Sequence, residues 1–310
     1  MVDSRLASAF SAAGLPQIIQ HGPDTEPQKC ASRIRNGKGE AMMIGTALAK
    51  LRGKQFVGFI DADNFVPGAV HEYCKVFATG LYHALYGRIP PHADANSTDE
   101  QTLAMVRIKW ASKPKIVDGA LVHQPSGRCS RVVNAWMNRL LTSLTGNSNH
   151  SDLIQTANAG EHAMSTELAL KLNFATGYAV EPYQLIDLWE RWGAPHSPPA
   201  SPLLSASWKK ENKLAEPTTP RSKVRIMQIE TLNPHIHDSS KGEEHIAHMQ
   251  AQGLSTIFYS QLSEPMFRKK LHEYVKKNLG SVAGEEGVPE EARVYPPMEG
   301  MDFEVFNKLL

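Results

Sequence analysis

Cysteine is scarce in this sequence and is not grouped. The three cysteines, Cys30, Cys74 and Cys129, lie far apart in 310 residues, and no C-x-x-C pair occurs. Neither a zinc knot nor a disulfide framework is indicated, because both need cysteines at close, recurring spacings. We expect thiols that are buried or idle.

A large net charge and a long apolar run are absent as well. Lys and Arg number 33 and Asp and Glu 32, so no overall field attracts nucleic acid or an anionic membrane, although a local basic pocket could take a phosphorylated small molecule. No apolar stretch approaches the roughly 18 residues of a membrane span, and the N-terminus lacks the apolar core of a signal peptide. We therefore expect a cytoplasmic protein without nucleic-acid or membrane partners.

Segments typical of strands and of helices alternate along the chain, which predicts an α/β fold with a mixed central sheet flanked by helices. We expect strands at 56–60, 102–110, 114–122 and 223–232, the second and third paired with each other. We expect helices at 39–51, after Pro67, at 130–144, from near Gly160, from near Pro182, at 242–252 and at 264–279. Residues 194–222, rich in proline and serine, are predicted to be an insertion that separates 1–193 from 223–310.

Two carboxylates follow the first clear strand. The apolar run 56–60 ends at Asp61, and Asp63 and Asn64 come next. An EF-hand is a poor match, because the fifth and sixth positions of that loop would be Phe and Val. A phosphatase that attacks with an aspartate normally continues with Gly-Thr, which is missing here. Two interpretations remain: a D-x-D that carries a divalent metal to a diphosphate, or a simple cap on the following helix.

Two other segments favour the metal and diphosphate interpretation. A Gly-Lys-Gly turn around Lys38 directly precedes a helix, and the free N–H groups of a helix start suit an anion. His235 and His237 follow the late strand, and either could complete a metal site begun by Asp63. Histidine pairs are nevertheless more often surface or core residues than metal ligands.

In this combination and order, the motifs resemble the mannosyl-3-phosphoglycerate synthase family. The matching segments are GKGEAMMIG, VGFIDADNFVPGAVHEY, TANAGEHAM, GYAVEPYQLI and QIETLNPHIHDSSKGEEHI. The resemblance implies a GT-A glycosyltransferase fold and a retaining transfer of mannose from GDP-mannose to 3-phosphoglycerate, with a divalent cation, Mg²⁺ or Mn²⁺, as cofactor. The product would be the precursor of mannosylglycerate, and a homodimer is the candidate assembly.

The resemblance also implies a role for each matching residue. Asp63 would bind the metal and serve catalysis, and Asp61 would lie closer to the nucleotide ribose. Lys38 would lie near the donor diphosphate. His235 or His237 would be the distant metal ligand, and both remain candidates.

On the acceptor side, the resemblance implies a loop that orients sugar and acceptor through backbone N–H groups at a helix start and a catalytic carboxylate. This loop consists of Asn158, Ala159, Gly160 and Glu161. Arg35 and Arg107 are weaker candidates for the acceptor's phosphate or carboxylate, since either could equally be a solvated surface charge.

The resemblance finally divides the chain by role. Residues 1–193 would be the part that binds nucleotide sugar and metal, and residues 223–310 would complete the metal and acceptor site and add a helical tail. We expect the first strand or two of the family's domain to be missing before Arg35, which would weaken donor binding. Two alternatives stay open: a transferase for another sugar nucleotide, and a non-catalytic or truncated glycosyltransferase-like protein.

Overall fold

The computed structural model describes residues 2–20, 33–66, 68–87, 102–117, 119–124, 127–195, 223–236, 242–280, 282–284 and 287–310. The helices are α1 (Val2–Ala12), α2 (Lys38–Leu51), α3 (Ala69–Tyr86), α4 (Arg128–Thr145), α5 (Thr166–Lys171), α6 (Val180–Trp192), α7 (Glu243–Tyr259), α8 (Pro265–Leu279) and α9 (Phe303–Leu309). The strands are β1 (Ile19–Gln20), β2 (Arg33–Ile34), β3 (Phe56–Phe59), β4 (Thr102–Lys109), β5 (Lys113–Val117), β6 (Ala120–Gln124), β7 (His162–Ser165), β8 (Phe174–Ala175), β9 (Lys223–Glu230) and β10 (Val294–Tyr295).

A four-stranded mixed sheet, in the order β3-β7-β4-β9, forms the centre of the fold. Strand β7 runs antiparallel to both β3 and β4, whereas β4 and β9 are parallel. Phe59, the last residue of β3, and Arg107, two residues before the end of β4, both pair with His162, the first residue of β7. The ends of β3, β4 and β9 and the start of β7 therefore meet at one edge of the sheet, which brings their following or preceding loops together.

Apolar residues cover both faces of this sheet. Along β4, Leu103 and Met105 belong to the main core with α2, α4, α6 and α7, whereas Val106 belongs to a second cluster under α3. This alternation is what a strand buried on both faces requires. A Cβ on Gly80 would lie 2.6 Å from Ile229 Cδ1, so a glycine is needed for α3 to pack directly against the sheet.

The predicted α/β class with a mixed sheet flanked by helices is confirmed. Helices were correctly predicted at α2, α3, α4, α6, α7 and α8, and strands at β3, β4 and β9. None of the helices in the described ranges is long and apolar enough to cross a membrane. The division at 194–222 stays a prediction, because residues 196–222 lie outside the described part.

Two predictions about local structure are wrong. The segment near Gly160 does not begin a helix; it turns into strand β7, and the helix α5 starts only at Thr166. The segments 102–110 and 114–122 do not pair with each other either. The second folds back on itself as the hairpin of β5 and β6, with Gly119 in the turn at a φ of 77°, a conformation that glycine adopts without strain.

Candidate functional site

A pocket lies at the edge of the sheet where the loops after β3, β4 and β9 meet the loop before β7. Its wall includes Asp61 and Asp63 after β3, Trp110 after β4, Asn158 before β7 and His235 after β9. The starts of α2, α4 and α6 add Lys38, Gly127, Arg128, Cys129, Ser130 and Glu181, and β5 and the first turns of α7 also line the pocket. The sheet edge thus gathers residues that are far apart in sequence.

Lys38 forms two ion pairs in this pocket. Its Nζ lies 2.7 Å from Asp61 Oδ1 and 2.5 Å from Glu181 Oε1. Burial alone would lower the pKa of Lys38, but the charges of Glu181 and Asp61 outweigh it and hold the pKa above the usual range. The lysine therefore remains a cation at the start of α2, where the helix dipole also favours an anion.

Glu181 is one of the pocket residues that the sequence motifs did not predict. Its side chain is only 4% exposed, and it sits in the first turn of α6. A signal was present, since an acidic residue one position before Pro182 at a predicted helix start is a common first-turn arrangement. Sequence alone does not show that this carboxylate reaches Lys38.

Gly160 allows the loop before β7 to lie against the D-x-D. A Cβ at this position would lie 2.1 Å from Asp61 Oδ2, so any other residue would displace the Asp61 carboxylate. The predicted helix start at residues 158–161 is wrong, because this loop leads into strand β7. Ala159 is buried, and its carbonyl lies 2.9 Å from His162 Nδ1.

Asn64 fixes the turn after the D-x-D rather than a helix start. Its amide donates to the Tyr73 hydroxyl at 2.6 Å, and its Oδ1 accepts from the N–H of Val66 at 3.0 Å. Helix α3 begins at Ala69 after Gly68 and has no side-chain cap. The cap interpretation of the aspartates is therefore wrong.

Glu161 lies behind the pocket wall. It is fully buried, its Oε2 accepts from Trp110 Nε1 at 2.9 Å, and its Oε1 lies 3.9 Å from His235 Nδ1. Burial and, to a smaller extent, the charge of Asp61 raise the pKa of Glu161 to about 7. Trp110 stacks on His235 with ring centres 3.8 Å apart. The carboxylate thus orients the two rings that face the pocket.

The loop that carries His235 is hydrogen-bonded to α3, through Glu72, and to the loop that follows the D-x-D. Both Glu72 oxygens accept bonds from the His235 loop, one from the N–H of Leu232 at 2.6 Å and the other from Asn233 Nδ2 at 2.9 Å. The N–H of Phe65 donates to Ile236 O at 2.7 Å. These bonds place His235 on the same side of the sheet as Asp63.

No cluster of three or more His, Cys, Asp or Glu side chains is arranged as a metal site within the described ranges. His237 lies outside these ranges. Asp63 and His235 line the same pocket. One carboxylate and one imidazole suit a cation such as Mg²⁺ or Mn²⁺, which keeps several waters and takes further oxygen ligands from substrate phosphates.

The complete chain, residues 1–310, matches the family model described as "Mannosyl-3-phosphoglycerate synthase (osmo_MPGsynth)". The chain belongs to the mannosyl-3-phosphoglycerate synthase family. It is 34% identical over 309 residues to the mannosyl-3-phosphoglycerate synthase of Pyrococcus furiosus, covering 99% of this chain and 67% of that protein. To the Aeropyrum pernix enzyme of the same name it is 30% identical over 246 residues, covering 79% of this chain and 55% of that one.

The chain therefore spans about two thirds of the first relative's length and about half of the second's. Among solved structures, glucosyl-3-phosphoglycerate synthase from Mycobacterium tuberculosis in complex with phosphoglyceric acid is 21% identical, with a TM-score of 0.43. That match covers 75% of this chain and 57% of the other.

Neither arginine predicted for the acceptor of a mannosyl-3-phosphoglycerate synthase lines the pocket. Arg107 is fully buried, and its guanidinium donates to the carbonyls of Thr156, Ala157 and Glu181 at 3.0 to 3.1 Å. Burial lowers the pKa of Arg107 to about 10. Arg35 Nε points instead to Gln17 O at 3.4 Å. Arg107 is thus a structural residue that holds the loop before β7 and the start of α6.

Two further cations line the pocket, Lys113 and Arg128, and no sequence motif had indicated them. Lys113 Nζ lies 5.1 Å from the centre of the Trp110 ring, and Arg128 is paired with the exposed Glu243. Arg128 and Ser130 are in the first turn of α4, where backbone N–H groups are free for a ligand. The Oδ1 of nearby Asn158 accepts no hydrogen bond from the described residues.

Proposed function

We propose that this chain transfers mannose from GDP-mannose to 3-phosphoglycerate with retention of anomeric configuration. One observation carries the proposal: Lys38, Asp61, Asp63 and His235 line a single pocket at the sheet edge in a member of the mannosyl-3-phosphoglycerate synthase family. A lysine at a helix start and carboxylates at a strand tip are the groups that a diphosphate leaving group needs.

On the donor side, Lys38 is the residue that would bind the diphosphate. Its charge is secured by Asp61 and Glu181, and it lies at the positive end of α2. It would therefore stabilise the negative charge that grows on GDP as the glycosidic bond breaks. Donor binding would shift Lys38 from one of its carboxylate partners toward the phosphates.

Asp63 and His235 would hold the divalent cation, and His237 stays a second candidate for the imidazole ligand. When bound, Mg²⁺ or Mn²⁺ would neutralise part of the diphosphate charge. Glu161 acts on this ligand set from behind, because it faces His235 and binds Trp110. We therefore assign Glu161 a positioning role rather than direct contact with the substrate.

The acceptor would bind in the part of the pocket that Lys113 and the first turn of α4 line. Two cations and free helix N–H groups suit an anion such as the phosphate or carboxylate of 3-phosphoglycerate. Asn158 lines the same space, and its buried Oδ1 accepts no hydrogen bond from the described residues.

The carboxylates of the pocket favour a front-face transfer. Asp61 and Glu181 are bound to Lys38, and Asp63 is assigned to the cation, so no described pocket carboxylate is left to form a covalent sugar intermediate. The acceptor hydroxyl would attack the anomeric carbon from the face that the diphosphate leaves. Its proton would pass to the departing phosphate oxygen, which balances the transfer.

A donor comparison tests the proposal. The full chain is incubated with 3-phosphoglycerate, Mn²⁺ and either GDP-mannose, GDP-glucose or UDP-glucose, and the released nucleotide is measured. We expect turnover with GDP-mannose that Asp63→Ala abolishes and that Glu273→Ala, an exposed carboxylate on α8, leaves unchanged. Turnover with a glucose donor alone would reject mannosyl transfer.

A further inference from the structure

The first turn of α2 is tied to the C-terminal part of the chain by a buried hydrogen bond. Glu40, two residues after Lys38, is only 3% exposed, and its Oε1 accepts from the Tyr295 hydroxyl at 2.6 Å. Tyr295 is fully buried in β10. A bond between two buried side chains so far apart in sequence needs an explanation, because each group loses its water on folding.

The glycines around Lys38 pack so closely that the turn has little freedom. A Cβ on Gly39 would lie 2.1 Å from the carbonyl oxygen of Ala175 in β8, and one on Gly37 would lie 2.2 Å from Glu40 Oε2. Strand β8 pairs with β10, with Tyr295 opposite Phe174. The turn therefore rests on the β8–β10 pair beneath and is covered by the carboxylate of Glu40.

Tyr295 is the donor in its bond to Glu40. Burial raises the pKa of Tyr295, and the bond to Glu40 and the charge of that carboxylate raise it further; the hydrogen bond and the charge of Arg293 lower it by less, so the phenol stays neutral. A hydroxyl that donates to a carboxylate is among the stronger hydrogen bonds in proteins. Glu40 Oε2 accepts no hydrogen bond from the described residues, so Oε1 depends on Tyr295 as its partner.

We propose that Tyr295 and Glu40 are positioning residues that hold the Gly37–Gly39 turn, and Lys38 with it, in place for the donor diphosphate. The C-terminal strand β10 is then part of the donor site although it does not line the pocket. The role of Lys38 at the donor diphosphate rests on the proposed function. The claim that Tyr295 and Glu40 hold the turn in place does not depend on that function.

The test compares Tyr295→Phe with Tyr259→Phe in the full chain. Tyr259 donates its hydroxyl to the carbonyl of Pro289 at 2.9 Å and makes no hydrogen bond to α2 within the described ranges, so it serves as the control. Glu40→Gln keeps an oxygen that can accept from Tyr295, whereas Glu40→Ala removes it. Amide hydrogen exchange over residues 37–43 and the KM values of both substrates are measured for every variant.

We expect exchange over 37–43 to become about tenfold faster in Tyr295→Phe and Glu40→Ala, because the turn loses its anchor. The KM for GDP-mannose should rise about tenfold in these two variants while the KM for 3-phosphoglycerate changes less than about twofold. Tyr259→Phe should resemble the wild type in both measurements, and Glu40→Gln, whose neutral oxygen accepts a weaker bond from Tyr295, should lie between the wild type and Glu40→Ala.

Unchanged exchange in Tyr295→Phe, or equal rises in both KM values, would overturn the inference. A wild-type chain that does not use GDP-mannose would instead refute the proposed function, and the exchange measurement would still decide whether Tyr295 and Glu40 hold the turn.

Discussion

Lys38 is expected to stabilise the fold as well as to serve the donor site. Lys38→Met tests this because it removes both ion pairs of the lysine. Removing the ammonium leaves Glu181, whose side chain is 4% exposed, as a buried carboxylate without its partner at 2.5 Å. Breaking a buried pair in this way costs about 3–5 kcal/mol. Because Lys38 is 27% exposed and water can reach the site, we expect about 2–3 kcal/mol.

Asp61, the second ion-pair partner of Lys38, should contribute less to stability than Glu181. Its side chain is 34% exposed, so Asp61→Asn should cost less than about 1 kcal/mol. The double variant Lys38→Met, Glu181→Gln removes the stranded charge and should recover most of the loss in Lys38→Met, because a neutral pair avoids the desolvation of an ion.

Urea unfolding followed by tryptophan fluorescence at pH 7 without added metal measures these differences, and the chain contains five tryptophans. A Lys38→Met variant that is no less stable than Asp61→Asn would contradict the expected cost of leaving Glu181 buried without its partner. The same expectation would fail if the double variant were no more stable than Lys38→Met.

Three further outcomes follow from other contacts. Asp63→Ala should lower Mn²⁺-dependent turnover by more than tenfold, about 1.4 kcal/mol of barrier, while the urea midpoint stays within error. Arg107→Met should lower stability by about 3 kcal/mol, because three buried carbonyls lose their donor; an unchanged midpoint would contradict this. Burial raises the pKa of the Glu190 carboxyl, so the stability that this group contributes is full below its unfolded pKa and is lost as the pH rises through its folded pKa. The thermal midpoint of Glu190→Gln, measured against that of the wild type, should therefore increase between pH 4.5 and 8. A difference between the two midpoints that does not change with pH would contradict this prediction.

The sequence was most informative where local patterns decide the structure. Helical periodicity identified α2 and α4, and the change from an apolar run to Asp61 and Asp63 identified the tip of β3. Strand β7 was missed, because its residues and those of α5 include good helix formers. The pairing of β7 with β3 and β4 overrides that preference, and such pairing depends on residues distant in sequence.

The site was predictable only in part for the same reason. Arg107 was a candidate ligand because guanidinium groups suit phosphates, although the adjacent apolar residues Met105 and Val106, on opposite faces, already indicated a strand buried on both faces. The pairing of Lys38 with Glu181 and of Glu40 with Tyr295 arises from packing between distant elements. No local pattern encodes these contacts.

The most direct test of the central claim is the product itself. Wild type and Lys38→Met are incubated with GDP-mannose, 3-phosphoglycerate and Mn²⁺, and the products are followed by NMR. We predict that the wild type releases GDP and mannosyl-3-phosphoglycerate in equal amounts, with the anomeric configuration of the donor, and that Lys38→Met is at least about a hundredfold slower. No mannosylated product from the wild type, an inverted product, or an equally active Lys38→Met would contradict the account.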